Sequence, residues 1–273
     1  MILNRKHFVM RFDGKVVLIT GGSSGIGLGV ASALAGLGAR VAIAGRNPSS
    51  LDNAATELNS VGANVLQIPM DVRDPLSVQE GVKNTVRVFG RLDIVLACAG
   101  VSMRARFEEC KMDAIRNLFE TNFFGVVHLL QETLPELKKS QGSFVGISSL
   151  TGKRGVPGYS IYGASKFALQ GLLDSVRMEV QKDQVHIGVV STGFVDTPLR
   201  DKVLGGDGKV LEKSPELPFR LWPLEKCVHV VMRLIRDRQR EAFLPWFMRP
   251  FLAFDVINSG RAGDKFLREK FGL

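Results

Sequence analysis

Lys15–Thr20 (KVVLIT) is an unbroken apolar, β-prone run that passes directly into Gly21-Gly22-Ser23-Ser24-Gly25-Ile26-Gly27, then into a helical pattern reaching Gly36–Gly38. A run without polar alternation predicts a strand covered on both faces, as in a parallel sheet. Glycines between strand and helix let backbone N–H groups and the helix N-terminus approach a pyrophosphate, where a Cβ would stand in the way. The strand before and the helix after favour a dinucleotide cradle over an unliganded turn.

The same alternation continues along the chain. Ala39–Ala44, Asn64–Ile68, Asp93–Ala97, Ser143–Ile147, His186–Val190 and Glu241–Leu244 are further strand candidates. Helical patterns between them include Ser77–Phe89, Met112–Leu137 and Tyr159–Gln181. Strands alternating with helices predict an α/β fold, a doubly wound parallel sheet with helices on both faces and ligands at the carboxyl ends of the strands. No linker, repeat or low-complexity segment divides the 273 residues, so residues 1–273 read as one domain.

The end of the second strand bears on the cofactor. An NAD site calls for an acidic residue about 20 residues past the glycines, accepting from the ribose 2′-hydroxyl. No Asp or Glu lies between Ala39 and Leu51, but Arg46 does. Its planar fork suits a 2′-phosphate, which predicts NADP(H).

Ser149 closes the strand run Phe144–Ile147, and Tyr162 and Lys166 stand four residues apart at the start of a helical pattern. That spacing puts both on one helix face. An ammonium near a phenol stabilises the phenolate and would lower its pKa toward the working pH, making Tyr162 a candidate general acid/base. Ser149, at a strand end, can hydrogen-bond the same substrate oxygen.

Other signals narrow the function class. Cys98, Cys110 and Cys227 lack CxxC spacing, and the four histidines are scattered, which predicts neither a metal site nor a disulfide framework. Met1–Phe12 is mildly basic without an apolar core, and no apolar run reaches about 18 residues, which predicts neither a secretory signal nor a spanning helix. The expected compartment is the cytoplasm. A net charge of +9 accompanies no nucleic-acid module, so anionic cofactor phosphates or an anionic membrane surface are its expected counterparts.

Leu199–Leu224, rich in Gly, Pro and charge, with Gly205-Gly206-Asp207-Gly208 as a hinge-like stretch, reads as a mobile lid over residues 199–224. Residues 245–273 form an aromatic and basic extension. Trp246, Phe247, Phe251 and Phe254 would gather toward one side of a helix beginning near Pro245, although Pro250 could split it in two. Such a segment suits a lipid surface, and equally a subunit interface or the wall of an apolar pocket.

Together these motifs resemble the short-chain dehydrogenases/reductases, in the shorter form of that family with its Rossmann-type sheet. Thr20-Gly21-x-x-x-Gly25-x-Gly27 looks like the cofactor loop, and Asp71-Val72 is similar to the pair contacting adenine. Asn122, in Thr121-Asn122-Phe123-Phe124-Gly125, matches the asparagine of the catalytic tetrad. Ser149 precedes Tyr162 by thirteen residues, the family spacing, and Tyr162 and Lys166 fill its YxxxK motif. Tyr159 competes for the tyrosine role but has Gly163 where the lysine should be. The family's Asn-Asn-Ala-Gly is here Ala97-Cys98-Ala99-Gly100, with Ala99 and Gly100 still backing the cofactor. Its Pro-Gly reads Thr192-Gly193, followed by Val195 and by Thr197, which matches the residue holding the nicotinamide carboxamide.

The resemblance implies hydride transfer between nicotinamide and a carbonyl or secondary alcohol of an apolar substrate, of long-chain keto lipid, steroid or retinoid type. Tyr162 would exchange the proton, Ser149 hold the oxygen, Lys166 lower the tyrosine pKa and grip the nicotinamide ribose, and Asn122 position a water that connects Lys166 to solvent. The alternative is an NADP(H)-binding regulator without turnover. A homodimer or homotetramer is the expected assembly.

Overall fold

The computed structural model describes residues 12–60 and 64–271. The expectations for Met1–Arg11 lie outside the described residues.

Seven strands form one parallel sheet. They are β1 (Val16–Thr20), β2 (Arg40–Gly45), β3 (Asn64–Pro69), β4 (Ile94–Ala97), β5 (Ser143–Ser149), β6 (His186–Thr192) and β7 (Glu241–Leu244). Their spatial order is β3-β2-β1-β4-β5-β6-β7, with every neighbouring pair parallel. The order reverses between β1 and β4, and a crevice opens there at the carboxyl ends of the strands.

The unbroken apolar runs are explained by burial on both faces. Val17 and Ile19 of β1 pack with α1 (Gly25–Ala35), α2 (Pro48–Asn59) and α7 (Leu224–Arg236), through Leu34, Leu51 and Leu234 among others. Val16 and Leu18, one residue out of phase, pack with α3 (Pro75–Phe89), α5 (Gly125–Ser140) and α6 (Ser160–Glu179), through Val82, Leu129 and Leu173. All seven predicted strands are present. Met112–Leu137, expected as one helix, is α4 (Met112–Phe119), a π-helical turn (Glu120–Phe124) and α5.

The last quarter of the chain covers the crevice. Leu204 bridges Met103 and Val210, and Trp222 bridges Val195, so residues 199–224 lie over the carboxyl ends of β4 and β6. Gly205–Gly208 is a hydrogen-bonded turn. The Gly205 N–H donates to Lys209 O at 2.8 Å, and Gly206 O accepts from the Lys111 N–H at 2.8 Å.

The tail forms two helices, α8 (Met248–Ile257) and α9 (Arg261–Phe271). Pro250 sits in the first turn of α8, where its missing N–H removes no intrahelical bond. Trp246 and Phe247 precede the helix, so the expected single aromatic face does not form. Phe251 turns inward while Phe254 stays 56% exposed.

Candidate active site

The glycine turn brings β1 into close contact with α1. A Cβ on Gly27 would lie 2.2 Å from the Gly21 carbonyl oxygen, so only glycine permits this packing. Ser23 lies between this turn and the end of β2 at Gly45. Ser24 precedes the first residue of α1 without capping it through its side chain. Gly25 faces Thr197 across the crevice, and Ile26, Val195 and Thr197 line one cavity there.

Arg46 is exposed at the tip of β2. Asp71, at the end of β3, is gripped by Arg73 with contacts of 3.0, 3.1 and 2.6 Å. That grip, reinforced by the charges of Arg73 and Arg46, holds the Asp71 carboxyl below its ordinary pKa despite partial burial. The Val72 side chain packs against α5 at Gly125, so this residue offers the crevice only its backbone.

The turn after β4, where the family asparagines are replaced, is held by Thr20, whose Oγ1 accepts from the Cys98 and Ala99 N–H groups at 3.3 Å each. A Cβ on Gly100 would sit 3.2 Å from Asn122 Oδ1 and 3.7 Å from Lys166 Nζ. Gly100 thus lies beside both Asn122 and Lys166.

Ser149 ends β5, and its hydroxyl accepts from the Thr151 N–H at 3.2 Å. Helix α6 approaches this strand end closely because Gly152 has no side chain: a Cβ there would lie 2.8 Å from the Lys166 carbonyl oxygen. The first turns of α6 place Tyr162 beside Ser149 at one end of a shared cavity. Lys166 is buried one turn on, its Nζ donating to Ile147 O at 3.1 Å and lying 5.8 Å from the centre of the Tyr162 ring.

Burial governs the charge states here. It raises the Tyr162 phenol to about 12, against the bond from Ser149 that favours the phenolate. It lowers Lys166 to about 8 and raises the Cys98 thiol to about 11. The expectation that Lys166 brings the phenol down is therefore not met. The ammonium is directed at the Ile147 carbonyl, and desolvation of the phenolate outweighs the lowering influence of Ser149.

Ser149 and Tyr162 end a cavity of about 470 Å³ with an overwhelmingly apolar lining. Sequence reading missed much of its wall. A ladder of rings leads outward from Tyr162 through Tyr159, Phe194, Phe219 and Phe266, with centroid steps of 6.4, 5.9, 6.2 and 6.1 Å. Tyr159 thus belongs to the wall, and Arg104 lies over its ring at 5.9 Å. Phe247, Met248 and Phe251 close the far side, so part of the aromatic tail is a pocket wall, one of its three expected uses. Arg154 ties this wall to the turn that follows Ser149. Its Nε lies 3.0 Å from the buried Asp255 carboxylate, and its Nη2 donates to Gly260 O at 2.8 Å and pairs with Asp264. No spacing rule joins residue 154 to 255, so the sequence carries no signal for this latch.

The sequence pattern of the family described as short chain dehydrogenase matches residues 15–206. The chain belongs to the short-chain dehydrogenase/reductase family. It is 34% identical over 211 residues to the dehydrogenase/reductase SDR family protein 7-like of Anopheles gambiae, a match spanning 75% of this chain and 65% of that protein. It is 32% identical over 248 residues to the 11-beta-hydroxysteroid dehydrogenase 1A of Arabidopsis thaliana, spanning 88% of this chain and 71% of that one. Among solved structures, the alcohol dehydrogenase of Thermococcus sibiricus complexed with 5-hydroxy-NADP superposes with a TM-score of 0.73 at 29% identity, covering 84% of this chain and 95% of that one. The chain spans less than two thirds of the length of that Anopheles gambiae relative, and among its described residues no group of His, Cys, Asp and Glu could hold a metal.

Proposed function

We propose that this chain is an NADP(H)-dependent oxidoreductase interconverting a carbonyl and a secondary alcohol on an apolar substrate. The observation that carries this reading is the apolar cavity of about 470 Å³ ending on Ser149 and Tyr162. The cofactor cradle fits: the Gly27 approach leaves no room for a Cβ, and Arg46 stands exposed at the end of β2 with no acidic residue from Ala39 to Leu51. A bound nicotinamide supplies the hydride.

The chain's own residues handle the oxygen and its proton. Tyr162, with its pKa at about 12, keeps its proton at neutral pH and donates it to a carbonyl oxygen. Ser149 hydrogen-bonds the same oxygen. Lys166, with its pKa at about 8, is mostly cationic at neutral pH and donates to the Ile147 carbonyl, leaving its remaining N–H groups for the nicotinamide ribose. Asn122 positions Val101 and the α6 face that carries Lys166. Residues 199–224 act as the lid, with Leu199, Val203 and Trp222 on its inner side.

The test is a panel of apolar ketones and secondary alcohols, read by NADPH absorbance. Turnover of at least one ketone, lost in Tyr162→Phe, is expected. Tight NADPH binding without turnover of any member would favour a regulator that senses the cofactor.

A second reading concerns location. No helix among the described residues is long and apolar enough to cross a membrane. Yet Trp246, Phe254, Val256 and Ile257 are 75%, 56%, 78% and 81% exposed, beside the exposed cations Arg249 and Arg261. This patch favours peripheral contact with an anionic membrane, from which an apolar substrate would be drawn.

A further inference from the structure

The charge of the cavity is one-sided. Arg154, Arg200 and Arg220 line it, and no Asp or Glu does. Arg154 is neutralised by Asp255 and Asp264. Arg200 and Arg220 take part in no ion pair among the described residues. Arg104, next to the same wall, donates to the Glu216 carbonyl oxygen at 2.6 Å and lies over the rings of Tyr159 and Phe271 at 5.9 and 6.0 Å. Arg200 lines the cavity together with Tyr159, and Arg104 lies over the Tyr159 ring.

Arg220 follows Phe219, toward the outer end of the ring ladder, and Arg200 lines the same cavity. Arg200 is half-buried, and apolar walls make its uncompensated charge costly; Arg220 is exposed at the rim, where a ligand anion reaching past Phe219 would meet it. A neutral apolar substrate leaves them unused.

We infer that the cavity takes an amphipathic anion: an apolar chain bearing the reactive carbonyl or hydroxyl, ending in a carboxylate or phosphate monoester held by Arg200 and Arg220. This rests on the reading of the cavity as the substrate site and adds the acidic end group to it. The chain runs along the ladder from Tyr162 to Phe219, and the anion stops at the arginines.

The test is calorimetric binding of dodecanoate, dodecyl phosphate, methyl dodecanoate and dodecanol to the NADPH-saturated protein. One of the two anions should bind about tenfold more tightly than either neutral compound, the effect of one charge-assisted hydrogen bond at the low end of its range. Whether carboxylate or phosphate wins identifies the end group. Arg200→Gln and Arg220→Gln should each shrink the anion-over-neutral ratio, and the double variant should bring it near one. Equal binding of anions and neutral compounds overturns the inference, as does an anion preference that survives the double variant. A loss of NADPH affinity in Arg200→Gln with the ratio unchanged would assign that arginine to cofactor phosphate and likewise overturn it. Binding is read without turnover, so failure of the oxidoreductase reading would appear separately, as an inert ketone panel.

Discussion

Asn122 holds Val101 by both ends of its side-chain amide. Oδ1 accepts from the Val101 N–H at 2.8 Å, and Nδ2 donates to the Val101 carbonyl at 2.9 Å and to Ser165 Oγ at 3.2 Å. The segment after β4 is thereby fixed to the residue beside Lys166. The π-helical turn that carries Asn122 adds a residue per turn and aims this side chain inward from a helix that would otherwise run on regularly.

Asn122→Ala should therefore weaken both fold and site. It leaves the Val101 N–H and carbonyl without their partner in a partly buried position, at about 1–3 kcal/mol for an unsatisfied group. A loss of about 2 kcal/mol in urea unfolding is expected, together with reduced turnover. Unchanged stability would mean that water replaces the amide at no cost.

How much of this was legible beforehand depends on whether the relevant forces are local. The sheet was readable because burial of both strand faces forces runs such as KVVLIT and SFVGIS, and each run became a strand. The glycine turn, Ser149, Tyr162 and Lys166 were readable because close approach and helical spacing act within a few residues. The π-helical turn was not, since the partner of its Asn122 is Val101, 21 residues back. Nor was the Arg154–Asp255 pair, or the division of the tail aromatics between cavity wall and surface. The sign of the Tyr162 shift was misjudged because spacing shows a neighbouring charge but not the burial that opposes it.

Only two tyrosines are present, Tyr159 and Tyr162, and burial raises the pKa of both. Ultraviolet difference titration of the native protein should show little tyrosinate at pH 10, where a free tyrosine is about half ionised. Between pH 10 and about 12 the native Tyr162 holds a proton that the unfolded chain has lost, so stability falls as pH rises through that window. Between about 8 and 10.5 Lys166 gives the opposite sign, because there the unfolded chain holds more protons. Native tyrosinate appearing well below pH 10 would contradict the burial of the site.

Tyr162→Phe removes only the hydroxyl and leaves the ring on the ladder. Carbonyl reduction should fall by about 10²–10⁴-fold, while NADPH affinity by direct titration stays within a few-fold. Undiminished turnover would transfer the proton-handling role to another group, with Tyr159 the nearest phenol at a ring distance of 6.4 Å.

NADPH should bind more tightly than NADH. Arg46 is exposed, and no Asp or Glu from Ala39 to Leu51 offers itself to a ribose 2′-hydroxyl. A charge-assisted hydrogen bond contributes about 1.5–3 kcal/mol, roughly ten- to a hundredfold in affinity. Arg46→Asp should erase or reverse the preference in a fluorescence titration. A wild-type preference for NADH would show that the 2′-phosphate is not read here.

The outward face of the tail leads to the final prediction. In α8, Met248 and Phe251 face the cavity and Asp255 is buried, whereas Arg249, Phe254, Val256 and Ile257 face out. The exposed Trp246 stands just before the helix, and Arg261, Lys265 and Arg268 are exposed on α9. Apolar side chains entering the acyl boundary while cations meet head groups give reversible attachment, with about 1 kcal/mol from each Lys or Arg near an anionic surface. The protein should cosediment with anionic vesicles at low salt, less so at high salt, and weakly with zwitterionic ones. Replacing Trp246, Val256 and Ile257 by serine leaves the cavity wall intact and should release it at every salt concentration. Exchanging Arg249 and Arg261 for glutamate should cost at least about tenfold in partitioning and remove the salt dependence. Wild-type protein left in the supernatant at low salt would exclude a lipid partner for this patch and reassign it to contact between copies of the chain.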